Sequence, residues 1–150
     1  MSRYFEDFTV GESVTTPGVT LTESSIIEFA LKYDPQRFHV DTVAAEKSPY
    51  GGLIASGFHT MLLAFRNFFN LGLIGETGLG SPGVDELRWT APVRPGDTIY
   101  TKVTIREKRE SKSRPDRGIV HLHFAAYNQR NEEVMTFTTV ALIKRRDGGG

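Results

Sequence analysis

The 150-residue chain contains no cysteine. Disulfides, thiolate metal sites and a cysteine nucleophile are therefore excluded together. A chain without disulfides fits a reducing compartment, so a cytoplasmic location is expected. Charge of one dominant sign is also missing, since 18 Lys and Arg balance 18 Asp and Glu. With no excess of cations to neutralise phosphates, nucleic acid is not an expected partner. A run of roughly eighteen apolar residues, the length that marks a membrane-spanning helix, occurs nowhere. The opening MSRYFEDFTVGE has neither the basic start nor the apolar run of a secretory leader. Neither a membrane partner nor export is expected.

What remains is enough for one ordinary domain with a real core, and residues 1–150 are read as a single domain. Residues 147–150, DGGG, offer little to pack and are expected to fray. Helical patterns fill the chain to about residue 80, and strand patterns follow, which gives an α+β class. In TLTESSIIEFALKYD, Thr22 caps a helix whose Ile26, Ile27, Ala30 and Leu31 recur at helical spacing. Pro35 disfavours a helical Asp34 and ends it. A short helical turn is read in DTVAAEK. Ser56 caps a second long helix in IASGFHTMLLAFRNFFNLG, apolar on nearly every side and stopped at Gly72, so it is expected to be buried and central.

The second half alternates with period two. Ile99, Thr101, Val103 and Ile105 share one face of the first long strand. Val120, Leu122, Phe124 and Ala126 share one face of the next, and Met135, Phe137, Thr139, Ala141 and Ile143 one face of the last. A shorter strand is expected through VDELRWTAPV and another in SVTTPGVTL. The loop GLIGETGLGSPG holds G-x-G-x-x-G at Gly78, Gly80 and Gly83, but it follows a helix and contains a proline, the wrong setting for a dinucleotide. It is read as a mobile connection.

The chemistry concentrates in YDPQRFHVD. Asp34 ends a helix and His39 lies five residues on, in what reads as a loop that can fold both side chains into one space. A carboxylate beside an imidazole fixes the ring's orientation and lets the two groups pass a proton. The plainer alternative is that Asp34 only ends the helix and His39 is a half-buried loop residue. Downstream, GGLIASGFHT brings Gly57 to the head of the central helix, where amide N–H groups lack internal partners and favour negative charge. Gly57 could donate to a developing oxyanion, or serve only close packing. His59 is a candidate for the pocket mouth or a satisfied polar residue. His121 and His123, at i and i+2, could chelate a metal but lack a carboxylate at ligand spacing, and no metal site is assigned. Trp89 and Tyr100 are read as packing aromatics. The charges at Arg109, Lys112, Arg114 and Arg117 are read as a solvated hairpin tip.

FALKYDPQRFHVD, with its D-x(4)-H-x-D, then GGLIASG at the head of a helix and later APVRPGD, resembles the MaoC-like hydratases, the (R)-specific enoyl-CoA hydratase group, over roughly residues 5–145. The resemblance implies a hot dog fold, an antiparallel sheet wrapped around a long central helix. It implies Asp34 and His39 as the catalytic pair around a water and Gly57 as oxyanion donor, and the neighbouring Gly52, Ser56 and His59 are read as candidates for binding the substrate. It implies an acyl-CoA thioester substrate, with coenzyme A entering as part of that substrate and no separate cofactor, and a homodimer. Gln36 stands where the family often has Asn, Arg37 where it often has Pro, and Ser56 where many members have His. The same fold also serves thioesterases and non-catalytic acyl-binding modules.

Overall fold

The computed structural model describes residues 1–147. Most of the expected tail, residues 148–150, lies outside the described residues. Helix α1 spans Glu23–Tyr33, and its start is a reciprocal cap: Thr22 Oγ1 accepts from the Ser25 N–H while Ser25 Oγ accepts from the Thr22 N–H. It stops at Asp34, ahead of Pro35. The next residues do not form the loop expected around His39. Arg37–Val40 form one helical turn, α2, and His39 sits within it. Pro35 cannot extend α1, but nothing prevents a new turn from starting two residues later. Asp41 then caps α3, Thr42–Glu46, by accepting from the Val43 and Ala44 N–H groups.

Helix α4, Gly57–Phe69, is capped by Ser56 Oγ, which accepts from the Phe58 N–H at 3.2 Å. Its buried residues Thr60, Leu63, Ala64, Asn67 and Phe68 recur at helical spacing and mark the sheet-facing side. It is not enclosed all round, as its composition implies: Phe58 and Leu62 are each 54% exposed, and Phe69 also faces outward. One sheet covers one side of a helix, so apolar residues on the other side stay open in the single chain.

The strands are β1 (Ser13–Thr15), β2 (Val19–Thr20), β3 (Val84–Trp89), β4 (Thr98–Glu110), β5 (Arg117–Tyr127) and β6 (Glu133–Lys144). They form an antiparallel sheet in the order β1-β4-β5-β6-β3, with β2 also on β4. Pro17 and Gly18 divide the expected first strand into two short pieces, because proline supplies no ladder donor. The three long strands alternate as their sequences require, and every residue assigned above to an inner face is buried. Phe124 lies at the centre, stacked on Phe137 at 4.4 Å and edge-on to Phe68 of α4 at 5.4 Å. This is the hot dog arrangement.

Two further elements differ from expectation. The glycine-rich loop is pinned to β6, because Leu79 donates to Leu142 O, Leu142 to Gly80 O, and Lys144 to Thr77 O. Strand β3 carries an extra residue: Val84 and Asp85 oppose Thr139 and Thr138, whereas Arg88 and Trp89 oppose Thr136 and Met135. Three steps along β3 therefore match two along β6, a bulge in which Glu86 has φ of 54°.

Phe124→Ala should lower stability by about 3–5 kcal/mol, since the aromatic layer cannot collapse onto the void. Denaturant unfolding checks this, and a loss below about 1 kcal/mol, the range of surface changes, would contradict the packing described.

Candidate active site

Three elements converge on one cleft of roughly 380 Å³. The C-terminal end of α1 supplies Asp34, the turn α2 supplies His39, and the first turn of α4 supplies Gly57, all three among its lining residues. Phe38 and Tyr50 lie on its wall, as do Phe58 and Trp89.

His39 is buried and Asp34 nearly so, with Nε2 of the ring 3.3 Å from Asp34 Oδ2. The other ring nitrogen, Nδ1, lies 2.8 Å from the carbonyl oxygen of Ile54. A carbonyl only accepts, so Nδ1 carries a proton and donates it there. The neutral ring therefore presents a bare Nε2 to the carboxylate, and the imidazolium presents an N–H. In either state this edge of the ring is the one aimed at Asp34.

Asp34 receives two further donors. Ser56 Oγ–H donates to Oδ2 at 2.7 Å and Gln36 Nε2 to Oδ1 at 2.8 Å. Burial pushes the carboxyl's pKa up, but the Ser56 and Gln36 hydrogen bonds and the nearby His39 ring outweigh it, and the net shift is down from the ordinary value. Asp34 is thus held ionised at neutral pH. Ser56 does two jobs with one hydroxyl, donating to Asp34 and accepting at the head of α4.

The Gly57 N–H is in the first turn of α4, where no intrahelical acceptor exists. The same glycine also serves close packing: a side chain there would overlap the indole of Trp89. The close-packing reading of Gly57 from the sequence therefore has its physical basis in the indole of Trp89.

The remaining sequence candidates lie differently. Gly52 packs beneath the Arg94 guanidinium rather than on the cleft wall. His59 is also off the cleft wall, its ring stacked on Phe29 at 4.6 Å and 9° between planes. On α4 it is two residues from Gly57, which turns it to another side of the helix. His121 pairs loosely with Glu107 at 3.9 Å and His123 with Thr138 Oγ1 at 3.1 Å. No group of three His, Asp or Glu that could hold a metal occurs among the described residues. Nor, among them, is any helix long and apolar enough to cross a membrane.

Trp89 is the wall residue that the sequence reading assigned to packing alone. The signal that could have found it was the loss of strict alternation in VDELRW, where Asp85, Glu86 and Arg88 interrupt the apolar positions.

A carboxylate and an imidazole facing each other beside a helix-terminal amide have the chemistry to exchange a proton next to a donor for negative charge. The MaoC like domain family matches residues 6–125. The chain belongs to the MaoC-like family. It is similar to the MaoC-like dehydratase of Rhodospirillum rubrum, whose crystal structure superimposes with a TM-score of 0.90 at 37% identity, covering 97% of this chain and 99% of that one. An uncharacterised Bacillus subtilis protein, YdeM, is 29% identical over 140 residues, 93% of this chain and 98% of its own length. The (R)-specific enoyl-CoA hydratase of Rhodospirillum rubrum is 36% identical over 113 residues, 69% of each chain. The chain spans 31% to 42% of the length of three further curated relatives. The relatives named as hydratases and dehydratases support a lyase-type enzyme.

The surroundings of His59 make stability depend on pH. Burial first, and the Arg66 charge second, hold its pKa below 6.5 in the fold. In the unfolded chain the ring regains the ordinary value near ~6.5 and takes up a proton that the folded state refuses. Stability should therefore be full above the ordinary value and decline as pH falls from there toward the lowered folded value. His59→Phe keeps the stack on Phe29 and should flatten that decline. Urea midpoints measured across mildly acidic pH check this, and an unchanged slope in the variant would contradict it.

Proposed function

We propose that the protein adds water across the double bond of a trans-2-enoyl-CoA thioester to give the 3-hydroxyacyl thioester, and catalyses the reverse dehydration. The observation that carries the reading is the Asp34 carboxylate, 3.3 Å from His39 Nε2, on the same cleft as the Gly57 amide. A water on the cleft side, within reach of both Oδ2 and Nε2, loses a proton to one of the two and attacks C3. The pair returns a proton to C2. One O–H bond and the C2=C3 π bond break, a C3–O and a C2–H bond form, and the pair ends with the protons it began with. The thioester oxygen, negative in the transition state, accepts from the Gly57 N–H. Because Nδ1 donates to Ile54, only Nε2 is open to the water.

The roles of Ser56 and Gln36 follow from their bonds to Asp34, which keep the carboxylate ionised and aimed at the cleft. Coenzyme A enters as part of the substrate, and the step as written uses no other cofactor. The absence of cysteine supports a cytoplasmic setting. The open apolar side chains Phe58 and Leu62 and the edge strand β3 support a homodimer.

A thioester of crotonic acid tests the reading. Loss of the conjugated enone absorbance without thiol release supports hydration, and thiol release at the same rate contradicts it. Asp34→Asn keeps the shape, removes the carboxylate and should lower kcat/KM by about 100- to 10,000-fold. A variant within about threefold of the wild type would contradict a catalytic Asp34. Ser56→Ala should raise the Asp34 pKa and move the acid limb of kcat/KM to higher pH, as a pH–rate profile would register; an unmoved limb would mean that the hydroxyl does not tune Asp34.

A further inference from the structure

Trp89 is the only tryptophan in the chain and is 47% exposed. It ends the edge strand β3, where strict alternation from Val84 would turn it away from α4. Val84 opposes Thr139, an inward-facing residue of β6, so residues 84, 86 and 88 would face inward and residue 89 outward. The bulge at Glu86 inserts one residue and reverses that parity, so Trp89 opposes the buried Met135. A slip of one residue exchanges the faces of all that follows. The left-handed backbone of Glu86, rare for a residue with a side chain, marks the reversal as something the surrounding ladder enforces. Its consequence is an indole pressed against Gly57, with Phe58 edge-on at 5.4 Å.

A thioester whose carbonyl oxygen accepts from the Gly57 N–H must pass within van der Waals reach of that ring. A trans-2-enoyl thioester is flat through C1, C2 and C3 and can lie along an aromatic face. A substituent at C2 projects next to the carbonyl, where the indole already fills the space beside Gly57. We infer that Trp89, turned inward by the bulge at Glu86, is the wall against which the thioester end of the acyl group lies and that it restricts the enzyme to trans-2-enoyl thioesters unbranched at C2. This rests on the hydratase reading for the position of the carbonyl.

The test uses the intact protein and its single indole as reporter. Butyryl-CoA, a saturated and unreactive thioester, is titrated while indole emission is followed with excitation at the red edge of its absorption. Hydration of crotonyl-CoA and of its 2-methyl analogue, tiglyl-CoA, is then compared in the wild type, Trp89→Ala and Trp89→Leu. Butyryl-CoA should change the emission over the concentrations at which it inhibits hydration. Either variant should raise kcat/KM for the branched relative to the unbranched substrate by about tenfold or more, the range one methyl group spans in a fitted pocket. Emission unmoved by inhibiting butyryl-CoA would overturn the placement of Trp89 without any variant having to fold. An unchanged substrate ratio in a variant that still hydrates crotonyl-CoA would overturn its role in selectivity. A wild type whose emission responds to butyryl-CoA but which hydrates neither substrate would support the placement of Trp89 and overturn the hydratase reading.

Discussion

A carboxylate removed from most of its water must be met by donors, and at Asp34 that requirement ties the site together. The residue caps the end of α1, yet its two oxygens are held by Ser56 at the head of α4 and by Gln36 at the head of α2. Each bond joins a different segment to the same group. Loss of either would leave a nearly buried charge short of partners, which costs more than the bond itself contributes. Two helix ends are therefore brought together by one functional side chain, and the Gly57 amide arrives beside it because Ser56, its neighbour, is the donor.

His39 depends on the same convergence. Its Nδ1–H reaches Ile54, in the extended segment leading into α4, so the bond that sets the ring's tautomer comes from the chain that also supplies Ser56 and Gly57. The sheet makes this possible by giving α4 a fixed bed. Phe68 lies edge-on to Phe124, and the face formed by Thr60, Leu63, Ala64 and Asn67 fixes the rotation of the helix. That rotation presents Gly57 to the cleft and turns His59 toward Phe29.

Much of this was legible in the sequence where a residue type permits one local solution. Thr22, Pro35 and Ser56 set helix ends by capping or by steric exclusion, and the long strands state their buried faces by alternation. The pairing of Asp34 with His39 and the approach of Gly57 were readable as a constellation. What escaped depends on long-range geometry. A second helical turn after Pro35 places His39 in α2, where the Ile54 N–H donates to Phe38 O and His39 Nδ1 donates to Ile54 O, contacts fifteen residues or more away in sequence. The bulge in β3 leaves only a broken alternation in VDELRW, and without the partner strand that break does not say which face Trp89 takes, so Trp89 read as an ordinary packing residue. The glycine-rich loop read as mobile because its anchor, the edge of β6, lies more than sixty residues away in sequence.

The proposed hydration requires the cleft to direct water to C3 rather than to the carbonyl carbon C1. The most direct measurement is turnover of crotonyl-CoA in water enriched in heavy oxygen, with the products resolved by mass spectrometry. Hydration would put label in the C3 hydroxyl of an intact 3-hydroxybutyryl thioester, with no label in a free carboxylate. Label in crotonic acid, accompanied by free coenzyme A, would contradict it.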